Sequence, residues 1–245
     1  MVIRERKTLP RCGVRKLHIK LKDGLEESGI FVGRDRLFDI LREEGLLLKK
    51  RIGKVPVTTY SGHDYAVAPN LLKTVDLTQP GQALCADITY VRTGDGFSYL
   101  FLVTDLVSRA ILGHHLSDSL GHQGAILALK DACRNLPATV GVIHHSDRGS
   151  QYCCHNFIKA LSERGMLSSM TDADHCAQNA VAERVNGILK GEFFIDTNFA
   201  NIQQARMAIK HAVKIYNYER PHMSLGYSTP FQVYSTSLQS DSLVT

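Results

Sequence analysis

The sequence contains no tryptophan and no apolar run approaching the roughly 18 residues that a membrane-spanning helix needs. Its first residues, MVIRERKTLPR, lack the apolar stretch of a secretion signal. The absence of a membrane-spanning run and of a secretion signal predicts a soluble, cytoplasmic protein that has no membrane partner.

Paired cysteine motifs are also missing. The six cysteines form no CxxC pair, and the neighbours Cys153 and Cys154 are poorly placed for a routine disulfide. We therefore expect reduced thiols that mostly serve as small core residues. The paired His and Cys spacing of a zinc module is absent before the core, so zinc is not expected.

The formal net charge is +5, which favours an anionic partner, although a similar excess occurs in proteins that bind no nucleic acid. Basic clusters concentrate in residues 1–51, where Leu37, Ile40 and Leu41 recur at helical spacing. The pattern predicts a small all-α region of the helix-turn-helix type. This region either binds DNA or presents only a solvated basic surface.

The remaining chain divides into a connector, a core and a tail. Residues 52–81 have no sustained period, whereas residues 82–235 alternate between strand and helix patterns. Three strands joined by tight turns precede a helix, a strand, a helix, a strand and two helices. We predict an α/β core in which a mixed sheet of three antiparallel strands plus two further strands is flanked by helices. Residues 236–245 are expected to be disordered.

Three carboxylates suggest a metal site. Asp87 lies amid apolar residues of the first strand, where an ionised carboxylate is costly unless it is paired or binds a metal. Asp147 ends the strand GVIHHSD, and Glu183 lies on the long helix. Carboxylates from two strands and a helix can converge on Mg²⁺, and two such ions can activate a nucleophile and stabilise a leaving oxygen.

An ordinary structural role for these carboxylates is open from the residues alone. Asp87 and Asp147 can cap turns or pair with Arg92 or Arg148, and Glu183 can be a surface helix residue. Because the chain has 24 acidic residues, three of them decide little by themselves.

Polar residues near the carboxylates are candidate DNA contacts. On the long helix, the apolar stripe is opposite a polar face that carries Glu183 and, about 10 Å further along, Lys190. We expect Lys190 to contact a substrate phosphate, although a solvated lysine is the common alternative. Residues that follow Asp147 either position a substrate strand or pack the loop. The candidates are Arg148, Gln151, Tyr152, Asn179, Asn186 and Lys190.

Five ordered motifs resemble the integrase-core transposases of bacterial insertion sequences. They are ADITYV, TDLVSRAILG, HHSDRGSQY, NAVAERVNGILKGEF and YNYERPHMSLGYSTP. The family in question is the OrfB type of insertion-sequence family three, which is related to retroviral integrases. The 35 residues between Asp147 and Glu183 also match the spacing of this superfamily. The chain departs from the family's pattern at Leu84-Cys85, where a tryptophan is usual, and at Gln178, where an aspartate is usual.

The resemblance implies a ribonuclease-H-like fold and a metal-dependent DDE-type transposase. It makes Asp87, Asp147 and Glu183 the catalytic residues and the ligands of two Mg²⁺ or Mn²⁺ ions. It further implies DNA strand cleavage and transfer at the terminal inverted repeats of the element, into target DNA. Assembly as a homo-oligomer on DNA is expected, as is fusion to or association with an upstream product, OrfA.

Two other functions compete with this interpretation. A catalytically silent DNA-binding fragment can occupy the terminal repeats and compete with an active enzyme. A nuclease of the ribonuclease H type would stop at hydrolysis, although such an enzyme has no need for the basic amino-terminal region. The intact carboxylates argue against the first alternative.

Overall fold

A computed structural model describes residues 1–49, 65–172 and 179–241, with side chains as far as residue 237. Gln178 and Cys176 lie outside these ranges, as does most of the first half of the predicted connector. None of the described helices is long and apolar enough to cross a membrane. The other five cysteines are free thiols.

Three helices, one more than the sequence pattern predicted, form the amino-terminal region. They are α1 (Val2–Thr8), α2 (Val14–Glu27) and α3 (Arg34–Glu43). Leu17 and Leu21 of α2 pack with Leu37 and Leu41 of α3 because a four-residue spacing keeps each pair on one helix face. Ile215 from the far end of the chain completes this apolar cluster.

The core is built on a six-stranded mixed sheet with the order β3-β2-β1-β4-β5, to which β6 adds by pairing with β1. The strands are β1 (Ala83–Thr93), β2 (Gly96–Asp105), β3 (Ile111–Ser117), β4 (Ile143–Ser146), β5 (Leu167–Met170) and β6 (Asn198–Phe199). The first three strands are antiparallel, and β4 and β5 continue the sheet in parallel. The predicted fold class is therefore confirmed, and β6 is an addition to it.

Helices cover both faces of the sheet because side chains alternate along its central strands. Leu84 and Ala86 of β1 point into one apolar cluster, whereas Val91 points into the other. The first cluster packs against α4 (His122–Arg134), α5 (Ser150–Cys153) and α6 (His155–Ser162). The second packs against α7 (Ala180–Phe193) and α8 (Ile202–Tyr218).

The end of the chain differs from the expectation of a disordered tail. A last helix, α9 (Pro230–Asp241), extends into the segment for which the sequence predicted disorder. Tyr234 is 2% exposed, packs into the first apolar cluster and donates from its hydroxyl to the carbonyl of Asn135 at 2.6 Å. This side chain, which lies within the predicted core segment, holds α9 against the sheet.

A buried charge cluster attaches the amino-terminal helices to the core. Glu192 in the last turn of α7 accepts two hydrogen bonds from Arg220, at 2.7 and 2.8 Å, and a third from Lys16 of α2 at 2.8 Å. Burial alone would raise the pKa of Glu192, but Arg220 and Lys16 outweigh burial and lower that pKa below its usual 4.5. Arg220 contributes more to this lowering than Lys16 does. The pKa of Lys16 is itself lowered by burial and then by the charge of Arg220, against the attraction of Glu192.

We expect Glu192→Gln to lower the free energy of unfolding by about 3 kcal/mol, because it leaves the buried Arg220 guanidinium without a counter-charge. Urea denaturation near neutral pH measures this loss. The folded pKa of Glu192 is lowered, so its stabilisation is complete above pH 4.5 and is lost as the pH falls through the folded value. The difference between variant and wild type should therefore shrink in acid.

Glu163→Gln is the matched control, since Glu163 forms an exposed pair with Lys159 on α6 at 3.9 Å. Its loss should change stability by less than about 0.5 kcal/mol. If the two variants were equally stable, Glu192 would contribute nothing beyond an ordinary surface pair.

Candidate active site

Asp87 lies on β1, and Asp147 directly follows the neighbouring parallel strand β4. Cys85 of β1 is paired with His145 of β4, and each aspartate follows two residues later in its own strand direction. β4 ends at Ser146, so Asp147 is the first residue beyond the ladder. Because paired strands are about 4.8 Å apart, this register brings the two carboxylates into adjacent positions.

Asp87 is partly buried, and both of its carboxylate oxygens accept hydrogen bonds. The Asn186 side-chain amide donates to Oδ2 at 2.7 Å, and the Ile88 backbone N–H donates to Oδ1 at 2.9 Å. Burial and then the charge of Asp147 raise the pKa of Asp87 to about 6, against these hydrogen bonds; Glu183 adds a smaller increase. The carboxylate is therefore destabilised first by burial and then by other negative charges, which is the condition under which a cation binds well.

Glu183 lies in the first turn of α7, and its side chain is exposed. Its charge acts on Asp87 more weakly than that of Asp147. Within the described ranges, no three His, Cys, Asp or Glu side chains are close enough to surround one metal ion. Asp87 and Asp147 are thus brought together, and Glu183 stands on the helix beside them.

The polar face of α7 is turned toward the sheet. Asn179 and Asn186 are both buried, and Asn179 donates from its side-chain amide to the carbonyl of Ala86 at 3.1 Å. Together with the bond from Asn186 to Asp87, this contact holds α7 along β1. The sequence predicted that both asparagines contact DNA, whereas the hydrogen bonds of their side chains in the fold go to β1. The only sequence feature that could have indicated this packing is their helical spacing from Glu183.

Lys190 continues the same face one turn beyond Asn186 and is half-buried. Burial lowers the pKa of the Lys190 ammonium, while the charges of Asp87 and Asp196 raise it. The ammonium therefore lies within electrostatic reach of the aspartate on β1. The apolar stripe that the sequence predicted on this helix is buried at Val185, Ile188 and Leu189. Val181, its first residue, is only partly buried.

The three candidates that follow Asp147 have different environments. Arg148 is partly buried and donates from Nε to the carbonyl of Thr171 at 2.8 Å. Gln151 is partly buried on the short helix α5. Tyr152 is 2% exposed and belongs to the first apolar cluster, so its ring packs in the core, which was the alternative left open for it.

His144 and His145 on β4 are buried behind the carboxylates. Burial lowers the pKa of each imidazole to about 4, so both are neutral near pH 7. His145 shares a hydrogen bond with the Ser169 hydroxyl at 2.9 Å, and His144 packs edge-on against Phe157. Both rings therefore support the strand that ends at Asp147.

Known proteins match this arrangement in sequence. Two family models, each described as an integrase core domain, match residues 78–176 and 164–230. An uncharacterised 31 kDa protein of insertion element IS600 from Shigella sonnei is 37% identical over 213 residues, which cover 86% of this chain and 78% of the relative. Transposase InsF of insertion sequence IS3A from Escherichia coli K12 is 32% identical over 221 residues, covering 89% and 76%.

Solved structures match the fold. The catalytic core domain of HTLV-2 integrase, in a complex with magnesium, superposes with a TM-score of 0.51 at 16% identity, over 64% of this chain and 97% of that one. The catalytic core of BIV integrase gives 0.52 at 16% identity, over 66% and 98%. At this identity the likeness concerns the ribonuclease-H-like fold alone.

Membership of the family rests on the extent of the sequence matches. The matches cover more than three quarters of the length of each relative and more than four fifths of this chain. Transposases of this kind act on DNA and transfer polynucleotide strands. The chain therefore belongs to the IS3-type insertion-sequence transposases, enzymes with a catalytic core like that of retroviral integrases.

Proposed function

We propose that this transposase cleaves and joins DNA strands at the terminal inverted repeats of its element, with Asp87, Asp147 and Glu183 as the DDE-type catalytic carboxylates. The observation that carries the proposal is the register of β1 and β4, which puts Asp87 beside Asp147. Burial and the acidic neighbours also raise the pKa of Asp87 to about 6. A structural aspartate on a central strand would instead be neutralised by an arginine or by several backbone amides.

The donor set fits hard divalent cations. Asp87 and Asp147 are adjacent oxygen donors, and Glu183 is an exposed carboxylate on the same side of α7 as Asn186. A set of carboxylate oxygens suits Mg²⁺ or Mn²⁺ better than a soft metal. Neutral, buried His144 and His145 are engaged in packing and add no ligand. Two such ions, when bound, would activate the attacking oxygen and stabilise the leaving oxygen. The magnesium complex of the HTLV-2 integrase core supports this choice of ion.

The other residues of the site position the carboxylates and the DNA. Asn186 fixes the orientation of the Asp87 carboxylate through its 2.7 Å hydrogen bond. Lys190, further along the same helix face, contacts a substrate phosphate. Arg148 and Gln151 border the end of β4, from which they can reach a DNA strand.

The basic helices of residues 1–51 give the proposed enzyme a further DNA-binding surface. Arg15, Arg34 and Arg36 are exposed on α2 and α3. From the family resemblance, we also propose that several copies assemble on DNA and that OrfA is fused or associated.

Asp87→Asn, Asp147→Asn and Glu183→Gln should each reduce strand cleavage and joining at least about a thousandfold, because each removes a negative oxygen donor with little change in volume. The assay is cleavage and joining of labelled terminal-repeat oligonucleotides in Mg²⁺. Asp118→Asn, a change of an exposed aspartate outside the site, should leave the rate unchanged.

A variant that keeps near-wild-type turnover would remove its residue from the site. A wild-type protein that binds the repeats but cleaves them in neither Mg²⁺ nor Mn²⁺ would instead favour the silent DNA-binding protein. Products of hydrolysis without any joined strand would favour the nuclease.

Asp87→Asn should raise the stability of the metal-free protein at neutral pH by roughly 2 kcal/mol, since it removes a buried, repelled charge. The folded pKa of about 6 exceeds the usual 3.8, so the wild type regains this stability as the pH falls from about 6 toward 4. The advantage of the variant should therefore vanish in acid. Chemical denaturation in a chelator at several pH values measures it.

Asn186 can accommodate this change, because its amide oxygen has no hydrogen-bond partner among the described residues and can accept from the new amide after rotation. A variant less stable than wild type at pH 7 would mean that the Asp87 charge is stabilised by the fold. In that case burial and the neighbouring acids do not destabilise the Asp87 carboxylate.

Lys190→Ala should weaken binding to a terminal-repeat duplex and lessen its salt dependence by one phosphate contact, a change in log-log slope of about 0.9. The titration is made in Ca²⁺, where little cleavage interferes, across a series of salt concentrations. Lys130→Ala removes an exposed lysine from α4, on the other face of the sheet, and should leave the slope unchanged. An unchanged slope for Lys190→Ala, together with lost metal binding, would assign Lys190 to the carboxylates.

A further inference from the structure

A cavity of about 510 Å³ lies between α2, α7 and the segment that follows α8. We call it the basic cavity, because Lys16, Arg109, Arg184 and Arg220 all line it and none of its described lining residues is acidic. Its volume is that of a typical ligand site, and its charge suits an anion. The functions assigned above to the carboxylates use none of these side chains.

Two of these four basic side chains form ion pairs within the described part of the protein, and the other two do not. Arg220 and Lys16 are bonded to Glu192. Arg109 and Arg184 form no ion pair with any residue of the described ranges. Glu192 offsets only part of this positive charge, so the remaining charges repel one another, and an anionic ligand would relieve that repulsion.

The conformation of Arg109 keeps its side chain at this position. Its φ of 64° lies in the left-handed region that non-glycine residues rarely adopt. The Tyr216 hydroxyl donates to the Arg109 carbonyl at 3.0 Å, and Tyr216 itself is fully buried. Tyr216 of α8 therefore holds the backbone at Arg109, and the side chain lines the cavity from there.

His222 supplies a neutral donor beside these cations. Burial and then the charges of Arg220, Arg109, Lys16 and Arg184 lower the pKa of His222 to about 4. Its Nδ1 is hydrogen-bonded to the Ser224 hydroxyl at 2.9 Å. When that hydroxyl donates, Nε2 of the neutral ring carries the proton and can donate to an anion oxygen.

The rest of the wall is apolar, and it includes Val181, Val185, Ile188 and Met223. A bare inorganic ion would leave this surface unused, whereas a sugar attached to a phosphate would cover it. We propose that the basic cavity binds a backbone phosphate of DNA together with its deoxyribose, and that Arg109 and Arg184 contact the phosphate oxygens. The inference rests on the proposed function, because the strand it holds is the DNA that the transposase processes.

The residues on either side of the basic cavity indicate the path that a bound strand would follow. A second cavity of about 590 Å³ shares Lys16 and Met223 with the first. Its lining adds Arg11, Arg15 and Arg34 of the amino-terminal region, which together with Lys16 outnumber the two acidic lining residues, Asp35 and Glu192. At its other end, the basic cavity reaches Arg184, which is next to Glu183 in the first turns of α7. A strand in this path would lead from the amino-terminal helices to the carboxylates.

The test is the binding of a duplex that carries the terminal inverted repeat, measured in a chelator across a salt series. Arg184→Gln should bind about tenfold more weakly and show a log-log salt slope smaller by about 0.9. Arg134→Gln is the matched control, since it removes an arginine that is 78% exposed on α4, across the sheet. It should change neither quantity; equal losses in both variants would overturn the proposal.

Neutral methylphosphonate linkages, placed one at a time in the duplex, identify the phosphate itself. One position should weaken wild-type binding several-fold and weaken Arg184→Gln clearly less, because the Arg184 contact is already lost there and only the Arg109 contact remains to be removed. If every position weakens both proteins equally, Arg184 contacts no DNA phosphate and the proposal is wrong. The readout needs neither metal nor cleavage, so it stands even if Asp87, Asp147 or Glu183 proves not to be catalytic.

Discussion

Repulsion between carboxylates on neighbouring strands is the constraint on which the other features of this core depend. Asp87 lies on β1, which pairs with β2, β4 and β6, so its backbone cannot move away from Asp147. Asn186 of α7 then fixes the orientation of the Asp87 carboxylate through a hydrogen bond. Asp105, on the neighbouring strand, is the contrast: burial raises its pKa too, but the backbone amides of Gly81, Val107 and Ser108 all donate to it.

Helix α7 transmits this arrangement to the rest of the molecule, because each of its sides has a different neighbour. Its apolar side packs on α8, its asparagine side lies along β1, and Arg184 faces the basic cavity. Glu192 in the last turn binds Arg220 and, through Lys16, the amino-terminal helices. A shift of this one helix would alter the carboxylates, the cavity and the attachment of the amino-terminal region together.

Much of this was predictable from local patterns. The alternation of apolar residues around Asp87 predicts a buried strand, and the motif order predicts the integrase-like core. Periodicity also places Asn186 and Glu183 on one helix face, but it equates polarity with exposure and therefore missed that the face packs on β1. A strand as short as β6 has too few residues for a period. The bond between Glu192 and Arg220 joins distant segments, which no local pattern reports.

The charge cluster around Glu192 also sets an order of events during synthesis. Lys16 leaves the ribosome 176 residues before its partner. At about 5 to 20 residues per second, the amino-terminal helices wait roughly 10 to 35 seconds for Glu192, and longer for Arg220 and Ile215. Until then the nascent chain has its basic helices but neither the anchor that holds them nor the cavity they help to enclose. The basic cavity therefore forms only after Arg220 has been synthesised.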